Sequence, residues 1–121
     1  MPMGNRSVTR GKLVLVPFPF DDFSGTKVRP AVCLTNPIGP HRHIILAFIS
    51  SRISADLSET DIILDSTQTD FTTTGLRVSS TLRLHRLMTI TASLLQRELG
   101  ELPPRIQKEI NEKLRKLFHL K

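Results

Sequence analysis

With 121 residues the chain has room for one domain with a modest core and none for two enzymatic domains. Its 17 Lys and Arg against 11 Asp and Glu give a formal charge of +6, which favours anionic partners, nucleic acid first and an acidic protein second. A single cysteine excludes an intramolecular disulfide, and no stretch approaches the ~18 apolar residues of a membrane span or the pattern of a signal peptide; a cytoplasmic protein is the expectation. Trp and Tyr are absent, so a broad aromatic platform for single-stranded nucleic acid is poorly supported.

Residues 1-10 read as a short polar tail ahead of one domain over 11-121. A first strand is expected from Lys12 through Leu13, Val14, Leu15 and Val16, with Pro17 and Pro19 ending its capacity to form a ladder. Asp21, Asp22, Ser24, Gly25 and Thr26 are turn formers, and Lys27 and Arg29 lead into a second strand reaching about Thr35. Pro30 biases Arg29 towards an extended backbone and disfavours helix there. A loop that begins acidic and ends basic suits either an arginine held over an anion or an ordinary sheet rim. Cys33, in an apolar run, reads as a small buried hydrophobe.

A second turn runs Asn36-Pro37-Ile38-Gly39-Pro40, followed by His41 and His43 on either side of Arg42. No thiol or carboxylate lies close by in sequence, so this reads as a solvated basic turn and no metal is expected. His43 to Ile49, HIILAFI, predicts a central strand ending in Ser50-Ser51-Arg52. Two hydroxyls and a guanidinium at a strand end either cap the following turn or hold a phosphate. Ile53 to Thr60 predict at most one helical turn, Asp61 to Asp65 a brief strand, and Ser66 to Gly75 a mobile loop or a polar edge. Leu76 to His85 predict another strand, with Leu82 and Leu84 facing one way and Arg83 and His85 the other; a short apolar stretch, Leu87 to Ile90, follows. Leu94, Leu95 and Leu99 predict a turn or two of helix stopped by Gly100. Pro103 and Pro104 open a clearer helix whose stripe is Ile106, Ile110, Leu114, Leu117 and Phe118, a lid for the sheet. The fold class is therefore mainly β with a C-terminal helix: five or six short strands in a small, strongly curved domain.

Gly11-Lys12-Leu13-Val14-Leu15-Val16-Pro17-Phe18-Pro19-Phe20, the acidic loop, Ser24-Gly25-Thr26-Lys27 and Arg29-Pro30-Ala31-Val32 together resemble the opening of the PemK/MazF family, the ribosome-independent RNA-cleaving toxins of type II toxin–antitoxin systems. Ile49-Ser50-Ser51 resembles the family's strand-end Thr-Ser or Thr-Asn, Gly75-Leu76 with Ser80 and Thr89-Ile90 its later strand block, and Leu99-Gly100-Glu101-Leu102 its approach to the closing helix. The likeness spans roughly residues 11 to 118. It implies an SH3-like small barrel of the plasmid-maintenance toxin (CcdB/PemK) type, acting as a homodimer with a cognate antitoxin as partner. It also implies an endoribonuclease that cuts single-stranded RNA at a short sequence without metal or other cofactor. Attack by the ribose 2′-OH would leave a 2′,3′-cyclic phosphate and a 5′-OH. The family's catalytic arginine and strand-end threonine correspond to Arg29 and Ser50, and Lys27, Ser51, Arg52, Arg83 and Arg86 become the candidate RNA contacts.

These residue types suit that chemistry. A guanidinium offers two directed donors to the non-bridging oxygens on which charge builds, and a hydroxyl adds a third. Asp21 or Asp22 would orient Arg29 or accept a proton, or else be solvated turn residues. Two positions depart from the family: Ser50 stands where threonine is usual, and His85 where many members carry an acidic residue. His85 is either the general acid for the leaving 5′-oxygen or a partly buried residue of a dimer interface. The competing readings are a catalytically weak barrel that binds nucleic acid and a barrel that binds only an acidic protein; fold analogy does not choose among them.

Overall fold

The structure, a computed structural model, describes residues 8–18, 27–53 and 55–121. Among the described residues six strands in chain order, β1 (Lys12–Phe18), β2 (Lys27–Cys33), β3 (His43–Ser50), β4 (Asp61–Leu64), β5 (Ser80–Thr91) and β6 (Arg97–Glu101), precede one α-helix, α1 (Pro104–Leu117). They form a single sheet in the order β4-β5-β3-β2-β1-β6, with every neighbouring pair antiparallel. β3, the most continuous apolar run, lies inside the sheet as its sequence predicts. No helix among the described residues is long and apolar enough to cross a membrane.

Both faces of the curled sheet are buried. On one, Leu13, Val32, Ala47, Ile49, Leu82 and Leu84 pack under Ile106 and Ile110 of α1. On the other, alternate residues of the same strands (Val14, Ala31, Cys33, Leu46 and Phe48 among them) close on Ala92 and Leu95. Val8, within the segment read as a tail, is 1% exposed and belongs to this second cluster. α1 starts at Pro104, whose missing N–H is one the first turn leaves unpaired anyway. Burying Ile106 and Ile110 contributes roughly 1.5–3 kcal/mol each; Phe118, expected in the stripe, instead forms the exposed C-cap.

Four further expectations are corrected. Pro17 lies within β1, opposite Val28, rather than ending it. Gln96 N–H donates to Leu15 O, so Leu15 and Pro17 turn their backbone groups towards β6, and that pairing stops at Leu15–Arg97; the donor Pro17 lacks has no rung to serve. The segments 76–85 and 87–90 are one strand, β5, which begins only at Ser80. Ala47 pairs with Leu87 and Phe48 with Arg83, so Leu84, His85 and Arg86 are extra residues in a bulge. The helix expected before Gly100 is a 3-10 turn, Ala92–Leu94, followed by β6, whose pairing with β1 overrides the local leucine spacing. The described residues between Ile53 and Thr60 form bends and a turn, not a helix.

The two ends of the sheet meet through a second 3-10 turn, Phe71–Thr74, in the chain between β4 and β5. Thr73 Oγ1 donates to Glu101 O of β6 at 3.1 Å. The contact depends on two glycines. A Cβ at Gly100 would fall 2.2 Å from Thr73 O, and one at Gly75, where φ is +74°, 2.1 Å from Leu99 O.

Candidate nucleic-acid site

The cross-strand register builds the site from two rows on one face of the sheet. The first runs Ala31–Phe48–Arg83–Asp61 across β2, β3, β5 and β4. Two residues along, Ser50 pairs with Thr81, and extending the β2–β3 register brings Arg29 opposite Ser50. The β2–β3 ladder itself ends at Ala31–Phe48. Leu34 N–H donates to Ile45 O, which turns the backbone of Leu34, Val32 and Pro30 towards β3. Pro30 therefore faces Ile49 without an N–H: its carbonyl still accepts from that side, but Ile49 O gains no donor from it and the ladder goes no further.

Where the ladder stops, a cavity of about 330 Å³ opens. Four arginines (Arg29, Arg52, Arg83 and Arg86), the two serines Ser50 and Ser51, and Phe48 and Ile49 line it. Six sequence-predicted residues thus meet in one place. Lys27 sits on the same face of β2 two residues from Arg29 but outside the lining. Asp21 and Asp22 lie outside the described residues.

The Ser50–Arg52 turn is held from two sides. Ser50 Oγ accepts the Arg52 N–H at 3.2 Å, the serine turn that its residue type favours, and this leaves the hydroxyl proton for a further acceptor. Thr81 Oγ1 donates to Arg52 O at 2.8 Å. His85 lies in the β5 bulge and lines an adjoining cavity of about 310 Å³ with Phe48, Arg86 and Leu87, not the cavity that holds Arg29 and Ser50. Phe48 and Arg86 are common to both.

Beside Arg83 lies a carboxylate that the sequence did not single out. The Asp61 side chain is fully buried, with Oδ1 3.3 Å from Arg83 Nε and 3.8 Å from His85 Nδ1. The Arg83 pair is close enough to attract but misaligned, since neither Asp61 Oδ1 nor Arg83 Nε completes a hydrogen bond. Asp61 and Thr81 declare themselves only through cross-strand register, which no local pattern encodes. The one available signal was an aspartate opening the apolar run Asp61–Leu64, since a charge buried there needs a partner. Among the described residues no three His, Cys, Asp or Glu side chains cluster as metal ligands.

The lining is chemically suited to an anion. A polyanion seated among these arginines would gain charge-assisted hydrogen bonds.

The model of the PemK-like, MazF-like toxins of type II toxin–antitoxin systems matches residues 9–118. No curated protein matches the chain in sequence. Among solved structures, the Mycobacterium tuberculosis toxin MazF-mt6 superposes with a TM-score of 0.69 at 20% identity, over 91% of this chain and 98% of that one. The MazE-MazF complex of Deinococcus radiodurans gives 0.72 at 18% identity, over 97% and 100%. A mycobacterial endoribonuclease in complex with its cognate antitoxin gives 0.69 at 13%, over 96% and 97%.

Proposed function

The chain belongs to the PemK-like, MazF-like toxins of type II toxin–antitoxin systems, and from that premise we propose that it is a metal-independent endoribonuclease that cuts single-stranded mRNA at a short sequence. The observation that carries the proposal is the convergence of Arg29 and Ser50, with three further arginines, on one cavity at the place where Pro30 ends the ladder. The ribose 2′-OH attacks the adjacent phosphorus, the bond to the 5′-oxygen breaks, and the products are a 2′,3′-cyclic phosphate and a 5′-OH. Arg29 meets the charge that grows on the non-bridging oxygens, and the Ser50 hydroxyl donates to the same oxygens. Arg52, Arg83 and Arg86, with Ser51 and with Lys27 at the head of β2, hold the flanking backbone. His85, in the adjoining cavity, is assigned protonation of the leaving 5′-oxygen. The protein works in the cytoplasm as a homodimer of SH3-like barrels, and its antitoxin covers the basic cavity.

The test is cleavage of a long single-stranded RNA in the presence of EDTA, with mapping of the new 5′ ends. Discrete cuts bearing 5′-OH are expected from the wild type. Arg29→Ala, at a half-buried rim position, is expected to retain the fold by circular dichroism and to lose cleavage by at least about a hundredfold. A folded wild type that leaves the RNA intact would instead identify a nucleic-acid-binding module.

A further inference from the structure

Asp61 has no assigned part in the reaction, yet its placement is costly. A carboxylate with no exposed surface is costly unless it is paired and hydrogen-bonded. Asp61 Oδ2 is occupied by the Ser58 N–H at 2.9 Å, and Asp61 O accepts a hydrogen bond from Lys113 Nζ of α1 at 2.7 Å. Oδ1 remains, aimed between Arg83 Nε and His85 Nδ1. Arg83 stands directly across the ladder from Asp61 and is also part of the cavity wall. A guanidinium held at its Nε edge keeps its two terminal nitrogens for a second oxyanion.

We propose that Asp61 is a positioning residue for the anion cavity: from the neighbouring strand, on the same face of the sheet, it holds Arg83 by the Nε edge and so presents the rest of the guanidinium to an RNA phosphate. This rests on reading the cavity as the RNA site. Asp61 carries negative charge beside a receptor for negative charge, so its direct Coulomb effect on RNA is repulsive. Positioning and electrostatics therefore predict opposite signs for its removal. Asp61→Asn takes the formal charge from +6 to +7, by the loss of one negative charge. The amide keeps one oxygen for the Ser58 N–H and turns an NH2 towards Arg83 Nε, donor against donor.

The experiment measures binding of a fluorescein-labelled single-stranded RNA with every ribose 2′-O-methylated, which removes the attacking hydroxyl. Wild type, Asp61→Asn, Arg83→Ala and the double variant are compared by anisotropy, with thermal melting of each. Asp61→Asn is expected to bind about tenfold more weakly than wild type, and to have no weakening effect once Arg83 is alanine. Binding as tight as wild type or tighter overturns the inference. So does an equal loss in both backgrounds, which would mark Asp61 as a support of the fold. If Asp61→Asn does not fold, Arg83→Lys decides: it keeps the charge but has no Nε edge for Asp61 to hold, so it is expected to bind more weakly than wild type, and wild-type affinity overturns the inference. A wild type that binds this RNA but leaves unmodified RNA uncut removes the nuclease reading and leaves Asp61 decided by the cycle. A wild type without affinity for single-stranded RNA overturns both.

Discussion

Burial pushes the Cys33 thiol up from 9.0 to about 12, and the charge of Glu98 adds to the effect. A thiol that holds its proton more tightly in the folded chain than in the unfolded one stabilises the fold fully below pH 9. That stability is lost as pH rises from 9 to 12. The chain has no tyrosine to titrate over the same interval. Melting temperatures from pH 8 to 12 should therefore fall more steeply for wild type than for Cys33→Ala, and parallel profiles would contradict this. Lys12 remains in both proteins; its ammonium is raised by hydrogen bonding to Glu101 and contributes in the same direction to each. At this scale the residues legible in the sequence were those with a local signature: Arg29 beside a proline, Ser50 at the end of an apolar run, Cys33 within one. Asp61 and Thr81 were not, because each matters through a partner about 20 to 30 residues away that only the register supplies.

Between elements, the approach of the Phe71–Thr74 turn to β6 makes the sharpest demand on sequence. Gly100→Ala would drive a methyl into backbone atoms of Thr73 and Thr74, which have no rotamer to yield. It should cost at least about 2 kcal/mol, read as a lower denaturation midpoint at unchanged m-value. The same turn is tied to α1 by Arg105, whose Nε and Nη2 donate to the two carboxylate oxygens of Asp70 at 2.7 and 2.8 Å. Those hydrogen bonds hold the Asp70 carboxyl below its ordinary 3.8. The stabilisation is present at neutral pH and is lost as pH falls below 3.8 through the folded value. The gap in melting temperature between wild type and Asp70→Asn should accordingly close in that interval; a gap that persists in acid would show the bridge to be irrelevant. Elements with a strong period, β3 and α1, were readable in advance. β5 and β6 were not. The bulge at 84–86 shifts the alternation, so that Leu82 and Leu84 share a face with Leu87 rather than with Met88, and β6 owes its extended form to β1.

For the whole molecule, the charge of +6 matters by where it gathers, four of the arginines lining one cavity. Affinity for single-stranded RNA should fall linearly in log–log terms with salt, with a slope of about −0.7 per phosphate neutralised. Arg29→Ala should flatten that slope by about one such unit, and an unchanged slope would place Arg29 away from the backbone. The class of the fold was legible because hydrophobic period changes once along the chain, from strands to the final helix. How the sheet curls so that its two ends meet was not, since that depends on contacts between Thr73 and Gly100 that no single segment carries.

The β2–β3 ladder ends beside one absent backbone donor, at Pro30. Of the coded residues only proline lacks that N–H, so position 30 has no conservative replacement. Any other residue, whatever its size or polarity, would add an N–H facing Ile49 O, and with it the missing half of a rung beside Arg29 and Ser50. That missing donor is inherited as an imino acid, and scales that compare residues by charge, volume or hydropathy would not register the change.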